Sequence, residues 1–203
     1  MGNKRILFET DCVYHAYNHG NADDVIFRED TNYTFFLKRY RKYIPAIADT
    51  YAYCLMPNHF HIMMRIKDKK GLVRFFKTKN PQGFQNPEGL NRRNLSNLIA
   101  NQFGTLFNSY TKSYNSYYNR RGSLFESTFK RNKVEDDTYF TQLVRYIHLN
   151  PVKHGFTDGL GNWPHSSYNS YLSNKPTLLQ RKRVLQWFDG LNNFIEAHKS
   201  PQS

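Results

Sequence analysis

The run from Tyr53 to Arg65 reads Tyr-Cys-Leu-Met-Pro-Asn-His-Phe-His-Ile-Met-Met-Arg, and within it two imidazoles, His59 and His61, stand two residues apart. The run is apolar and rich in chain-extending residues, which predicts a buried strand entered through Met56, Pro57 and Asn58. Side chains alternate faces along a strand, so His59 and His61 share one face while Phe60 and Ile62 take the other. Two imidazoles on one face can hold one metal ion. The plain alternatives are a pair of core histidines, or a structural zinc site recruiting Cys54 from the neighbouring strand. Structural zinc wants four ligands.

The run from Leu143 to Gly155, Leu-Val-Arg-Tyr-Ile-His-Leu-Asn-Pro-Val-Lys-His-Gly, carries the second constellation. Tyr146 and Asn150 are four apart, which on a helix puts them on one face, roughly 6 Å apart along the axis. Asn150 offers an amide oxygen suited to a hard cation. Two imidazoles from a strand and one amide oxygen from a helix make a three-donor site with open positions, as metal-assisted catalysis requires. The plain alternatives are a helix-face aromatic packed on a sheet for Tyr146 and a helix end set by Pro151 for Asn150. His148 lies two positions from Tyr146, so it faces away and is expected to be structural or DNA-facing.

The elements that must position these groups are legible in outline. Tyr14 to Asn18 alternates as a first strand. Thr31 to Ile44 carries apolar residues at helix spacing and ends at Pro45. Ile47 to Leu55 and His59 to Ile66 read as two strands around the Pro57-Asn58 turn. Residues 67–91 are polar with Gly and Pro breakers, which predicts a long loop insertion. Leu95 to Tyr117 is a strong amphipathic helix, and Phe125 to Val134 a strand. Glu135, Asp136 and Asp137 open a helix, since acidic residues suit its positive end, and that helix runs to Asn150, before Pro151. Residues 178–197 form a final helix. This order predicts an α+β fold, a ferredoxin-like split βαβ with helices covering one side of an antiparallel sheet. Residues 1–172 read as the catalytic domain and 173–203 as a helical tail.

Charge narrows the partner. Lys plus Arg is 29 against 16 for Asp plus Glu, a net charge of +13, and a field of that sign attracts polyanions. Aromatics reach 16%, and basic side chains interleaved with rings suit single-stranded nucleic acid, whose phosphates meet cations while its bases stack. Hydrophobic residues at 39% place the chain among globular rather than disordered proteins. No apolar stretch is long enough to cross a bilayer. The N-terminus lacks a signal-peptide core, and Gly2 has no Ser or Thr at position 6 to support myristoylation. Cys12 and Cys54 form no ligand spacing or disulfide framework. A reducing cytoplasm is the expected location.

Four motifs occur in order: residues 53–61 (Tyr-Cys-Leu-Met-Pro-Asn-His-Phe-His), 121–130 (Arg-Gly-Ser-Leu-Phe-Glu-Ser-Thr-Phe-Lys), 146–155 (Tyr-Ile-His-Leu-Asn-Pro-Val-Lys-His-Gly) and 163–168 (Trp-Pro-His-Ser-Ser-Tyr). Together they resemble the REP-associated tyrosine transposases, members of the HUH group of single-strand transposases, over roughly residues 10–172. The resemblance implies that His59 and His61 bind Mg²⁺ or Mn²⁺ with Asn150 as third ligand. Relatives often carry the longer Gln at that position. It implies that Tyr146 is the nucleophile, forming a 5′-phosphotyrosine and freeing a 3′-hydroxyl. It further implies single-stranded or hairpin DNA as partner, with the protein acting as monomer or homodimer. Arg120, Arg121, Lys130, Arg131, Lys133, Lys153 and His154 are candidate DNA contacts, whose plain alternative is a solvated basic face. Two other functions stand beside strand transfer: a catalytically silent binder of structured nucleic acid, and a metal phosphodiesterase that uses water.

Overall fold

Four strands build one sheet: β1 (Val13–His19), β2 (Ala48–Met56), β3 (His59–Ile66) and β4 (Lys130–Val134). The computed structural model describes residues 6–79, 91–127 and 129–199. The strand order is β2-β3-β1-β4 and every neighbouring pair is antiparallel. The helices are α1 (Asp30–Tyr43), α2 (Lys69–Lys79), α3 (Arg92–Tyr117), α4 (Asp137–Lys153), α5 (Tyr168–Tyr171), α6 (Arg181–Trp187) and α7 (Leu191–Lys199). Strand, helix, two strands, helices and a strand returning to pair beside β1 make the ferredoxin-like arrangement that the order of elements predicts.

Helices cover both faces of the sheet, where the pattern alone predicted one. The even residues of β3, Phe60, Ile62 and Met64, share a buried cluster with Phe36 of α1 and Phe103 and Leu106 of α3. Met63, on the opposite face, joins Ala52 and Cys54 of β2 in a second cluster with Phe140, Val144 and Ile147 of α4. Each side chain buried in this way contributes about 2 kcal/mol. A strand apolar on one face and histidine-bearing on the other left the second layer unannounced, because α4 supplies the missing apolar area.

Four boundaries differ from expectation. The predicted loop over 67–91 is helical at Lys69–Lys79, because Leu72 and Phe76, four apart, are buried in the first cluster; residues 80–90 lie outside the described residues. The strand predicted from Phe125 begins at Lys130, and Phe125 makes only an isolated bridge to Gly20. Helix α4 passes through Pro151 to Lys153. Proline removes one N–H but Pro151 is buried, and the helix ends instead where Gly155 adopts φ +71 and donates to Val152 O at 3.0 Å. The final helix divides at Asp189 and Gly190, both at positive φ, into α6 and α7.

Two segments seal the outer edge of β2. Leu55 N donates to His165 O at 3.0 Å, Ser167 N to Tyr53 O at 2.9 Å, and Gln180 N to Thr50 O at 3.0 Å. The Trp163–Tyr168 motif is therefore an edge-pairing element. Val184 of α6 and Phe188 and Phe194 beyond it complete the second cluster, so residues after 172 pack directly on α4.

Candidate active site

His59 and His61 emerge from β3 on the face that α4 covers, and both are at most 6% exposed. The register opposes Tyr17 to His61 and His19 to His59. Residues paired across strands share a face, so β1 contributes His15, Tyr17 and His19 to the same surface. These three were not singled out by sequence. Their period-two spacing was visible, but only the pairing of β1 with β3 puts them beside the His-x-His pair. Tyr17, His19, His59, His61, Tyr146 and His154 line one cleft of about 910 Å³.

Helix α4 is set over this cleft by Asp136, whose carboxylate accepts from Tyr139 N at 2.6 Å as N-cap, and by its buried apolar stripe. The Tyr146 ring stands edge-on to His61 at 5.5 Å and to His15 at 6.1 Å. Just past the helix, the His154 ring meets His59 at 5.4 Å. Asn150 follows Tyr146 by one turn of α4, on the same helical face, and is not among the residues that line the cleft. It is fully buried; its Nδ2 donates to Tyr146 O at 2.8 Å, and its Oδ1 has no hydrogen-bond partner among the described residues.

Each histidine of the pair is held through Nδ1. His59 Nδ1 donates to Asn58 Oδ1 at 2.7 Å, and His61 Nδ1 lies 2.9 Å from His15 Nε2. The Nε2 atoms are the nitrogens left over. Burial, with neighbouring imidazoles, holds His59 down to about 4 and His61 to about 2, and burial alone holds His15 to about 4. Both His59 and His61 are therefore neutral near pH 7, the form that donates to a metal.

Among the described residues no three His, Cys, Asp or Glu side chains converge as a metal-binding group. Cys54, which pairs with His61 across β2 and β3, lies in the second cluster with its thiol pushed well up by burial. For a site at His59 and His61, Asn150 offers a donor of another type. The unpartnered Oδ1 of Asn150 is chemically suited to that place, since a buried amide oxygen without a partner is otherwise costly.

The basic candidates separate. Lys153 lies over the Tyr146 ring at 5.8 Å and His154 lines the cleft. Lys130 opposes Tyr17 and pairs with Glu126 at 3.0 Å, while Arg121 is exposed on the turn after α3. Three others make their contacts within the fold. Arg120 pairs with Asp24 and donates to the carbonyls of Gly122 and Ser123, folding that turn. Arg131 and Lys133 oppose Ala16 and Tyr14, on the face away from the histidines. There Arg131 donates to Ile6 O at 2.5 Å and Lys133 pairs with Glu9 at 3.3 Å. His148 is structural: it is buried, 2.9 Å from His198 Nε2 and 2.7 Å from Ser167 Oγ.

No family model matches the sequence. A Haemophilus influenzae protein named "Putative REP-associated tyrosine transposase" is 25% identical over 123 residues, covering 60% of this chain and 59% of that protein. The chain thus matches less than two thirds of the relative's length. A solved structure of a REP-associated tyrosine transposase bound to a REP hairpin superposes with a TM-score of 0.59. It is 14% identical and the match covers 87% of this chain and 89% of that one, a likeness of fold. The matched relative carries the name of the family that the four motifs resemble. No helix among the described residues is long and apolar enough to cross a membrane.

Proposed function

We propose that this relative of the REP-associated tyrosine transposases nicks and transfers single-stranded DNA at hairpin sequences, with Tyr146 as nucleophile. The observation that carries the reading is the placement of Tyr146, on α4, edge-on to His61 across one cleft from the His59–His61 pair. His59, His61 and Asn150 would hold a divalent ion, Mg²⁺ or Mn²⁺. Such an ion supplies Lewis-acid polarisation and orientation of the scissile phosphate.

The rest falls to the chain's own groups. The Tyr146 hydroxyl attacks phosphorus, the bond to the 3′ oxygen breaks, and the leaving strand end takes a proton to become a 3′-hydroxyl. The phenolic proton passes to solvent. The 5′-phosphotyrosine conserves the phosphodiester's energy, so a second 3′-hydroxyl rejoins the strand without a nucleotide cofactor. Lys153, beside the Tyr146 ring, supplies positive charge where phosphate must lie. The packing of Phe140, Val144 and Ile147 fixes the helix that aims the phenol.

Incubating the chain with a labelled hairpin single strand and Mn²⁺, then resolving covalent products under denaturing conditions, tests the reading. An adduct lost in Tyr146→Phe supports it. Binding with no adduct at any Mn²⁺ concentration would replace it with a silent binder. Hydrolysis that survives Tyr146→Phe would replace it with a water-using phosphodiesterase.

A further inference from the structure

An imidazole ligand is useful to a metal only in the right tautomer, since the coordinating nitrogen must carry a lone pair rather than a proton. The two histidines of the pair are served differently. Asn58 Oδ1 can only accept, so its 2.7 Å contact places the proton of His59 on Nδ1 and leaves Nε2 with its lone pair. The partner of His61 is another imidazole, His15, with Nε2 2.9 Å from His61 Nδ1. A neutral imidazole can donate or accept there. If His15 donates, His61 Nε2 carries a proton and cannot coordinate. If His15 accepts, His61 matches His59.

We propose that His15 is a positioning residue that accepts from His61 Nδ1–H and so fixes His61 with Nε2 free for a divalent cation. This rests on the reading of His59 and His61 as metal ligands. His15 is suited to the task by its surroundings as well as by distance. It is 6% exposed, so water competes little for the contact. Its ring centroid lies 5.0 Å from that of His61 and 5.0 Å from the tilted ring of Tyr17, and it stands edge-on to Tyr146 at 6.1 Å. Pairing of β1 with β3 runs without a break from Val13 to His19, which holds the two backbones in register around the contact. His15 thereby links the cation pair to the face of the tyrosine on α4. An outer partner of this kind orients the ligand and raises its basicity, and its loss typically weakens metal affinity about 10- to 100-fold.

The test uses the full chain and Mn²⁺ alone, without DNA. Mn²⁺ affinity is measured by calorimetry for wild type, His15→Leu and His15→Gln, with thermal melting of each. Ring-nitrogen NMR of the wild type reads the His61 tautomer directly. The proposal expects a protonated Nδ1 on His61, a 10- to 100-fold weaker affinity in His15→Leu, and recovery of most of that loss in His15→Gln, whose Oε1 can accept. Wild-type-like affinity in a folded His15→Leu would overturn it. So would a His61 protonated on Nε2 in the wild type, a reading that needs no variant to fold. A wild type that fails to bind Mn²⁺ would overturn the underlying metal reading instead, and the tautomer would then still report which way the His15–His61 bond runs.

Discussion

The ring of Tyr146 meets the ring of His61 edge to face, 5.5 Å between centroids, and this contact joins a helix on one side of the cleft to a strand on the other. It is made by the ring, not by the hydroxyl. Removing only the hydroxyl should therefore leave the fold alone. Tyr146→Phe is expected to shift unfolding free energy by no more than about 0.5 kcal/mol, as substitutions outside buried networks do. Denaturant unfolding of the variant checks this, and a loss of several kcal/mol would mean that the adduct assay reports damage rather than chemistry.

Asn150 differs from Tyr146 in carrying a cost. Its Oδ1 is buried with no partner among the described residues, while Nδ2 is tied to Tyr146 O. A group kept for stability would not be left half-satisfied. Asn150→Ala is expected to weaken Mn²⁺ binding about tenfold or more while the metal-free melting temperature moves little. Calorimetric titration against Mn²⁺ decides it; unchanged affinity would remove Asn150 from the ligand set.

Behind α4, the order of protons along a buried chain is set by one carbonyl. His198 Nδ1 donates to Phe194 O at 2.7 Å, so its Nε2 accepts from His148 Nδ1–H at 2.9 Å, and His148 Nε2 accepts from Ser167 Oγ at 2.7 Å. Both rings must stay neutral, and burial holds His198 down to about 4. Between about 4 and 6.5 the unfolded chain binds the proton that the folded chain refuses, so stability is full above 6.5 and falls as pH drops. His198 alone accounts for about 3 kcal/mol of that fall, by order of magnitude. His198→Gln keeps an acceptor but cannot titrate, so its unfolding free energy should depend on pH by about one proton less over this window. Urea unfolding at a series of pH values measures the slope.

Much of this arrangement was legible in residues. Alternation in β3 put His59 and His61 on one face, and the spacing of Tyr146 and Asn150 put them on one side of a helix. What escaped the sequence was non-local. His15 and His19 became part of the site only through the register of β1 against β3. Asn58, read as a turn residue, turned out to grip His59. The Gly and Pro residues beyond Lys79 hid the four-residue spacing of Leu72 and Phe76. Pro151 suggested a helix end that burial overrode and Gly155 actually supplies.

The same lesson governs the cations. In sequence, Arg131 and Lys153 are equivalent positive charges, yet one lies over the Phe8 ring at 4.2 Å on the far face and the other over the Tyr146 ring at the cleft. Binding to a single strand releases counterions in proportion to the phosphates neutralised, so the slope of log affinity against log salt counts the contacts, about 0.7 for each. Lys153→Ala is expected to weaken single-strand binding and to reduce that slope by about 0.7 without changing stability. Arg131→Ala should do the reverse: the slope is kept, while the fold loses about 1–3 kcal/mol with the Ile6 hydrogen bond and the Phe8 contact. Fluorescence titrations at several salt concentrations, paired with unfolding curves, separate the two. A slope that falls in Arg131→Ala would place the DNA on the opposite side of the sheet from the histidines, and with it the site itself.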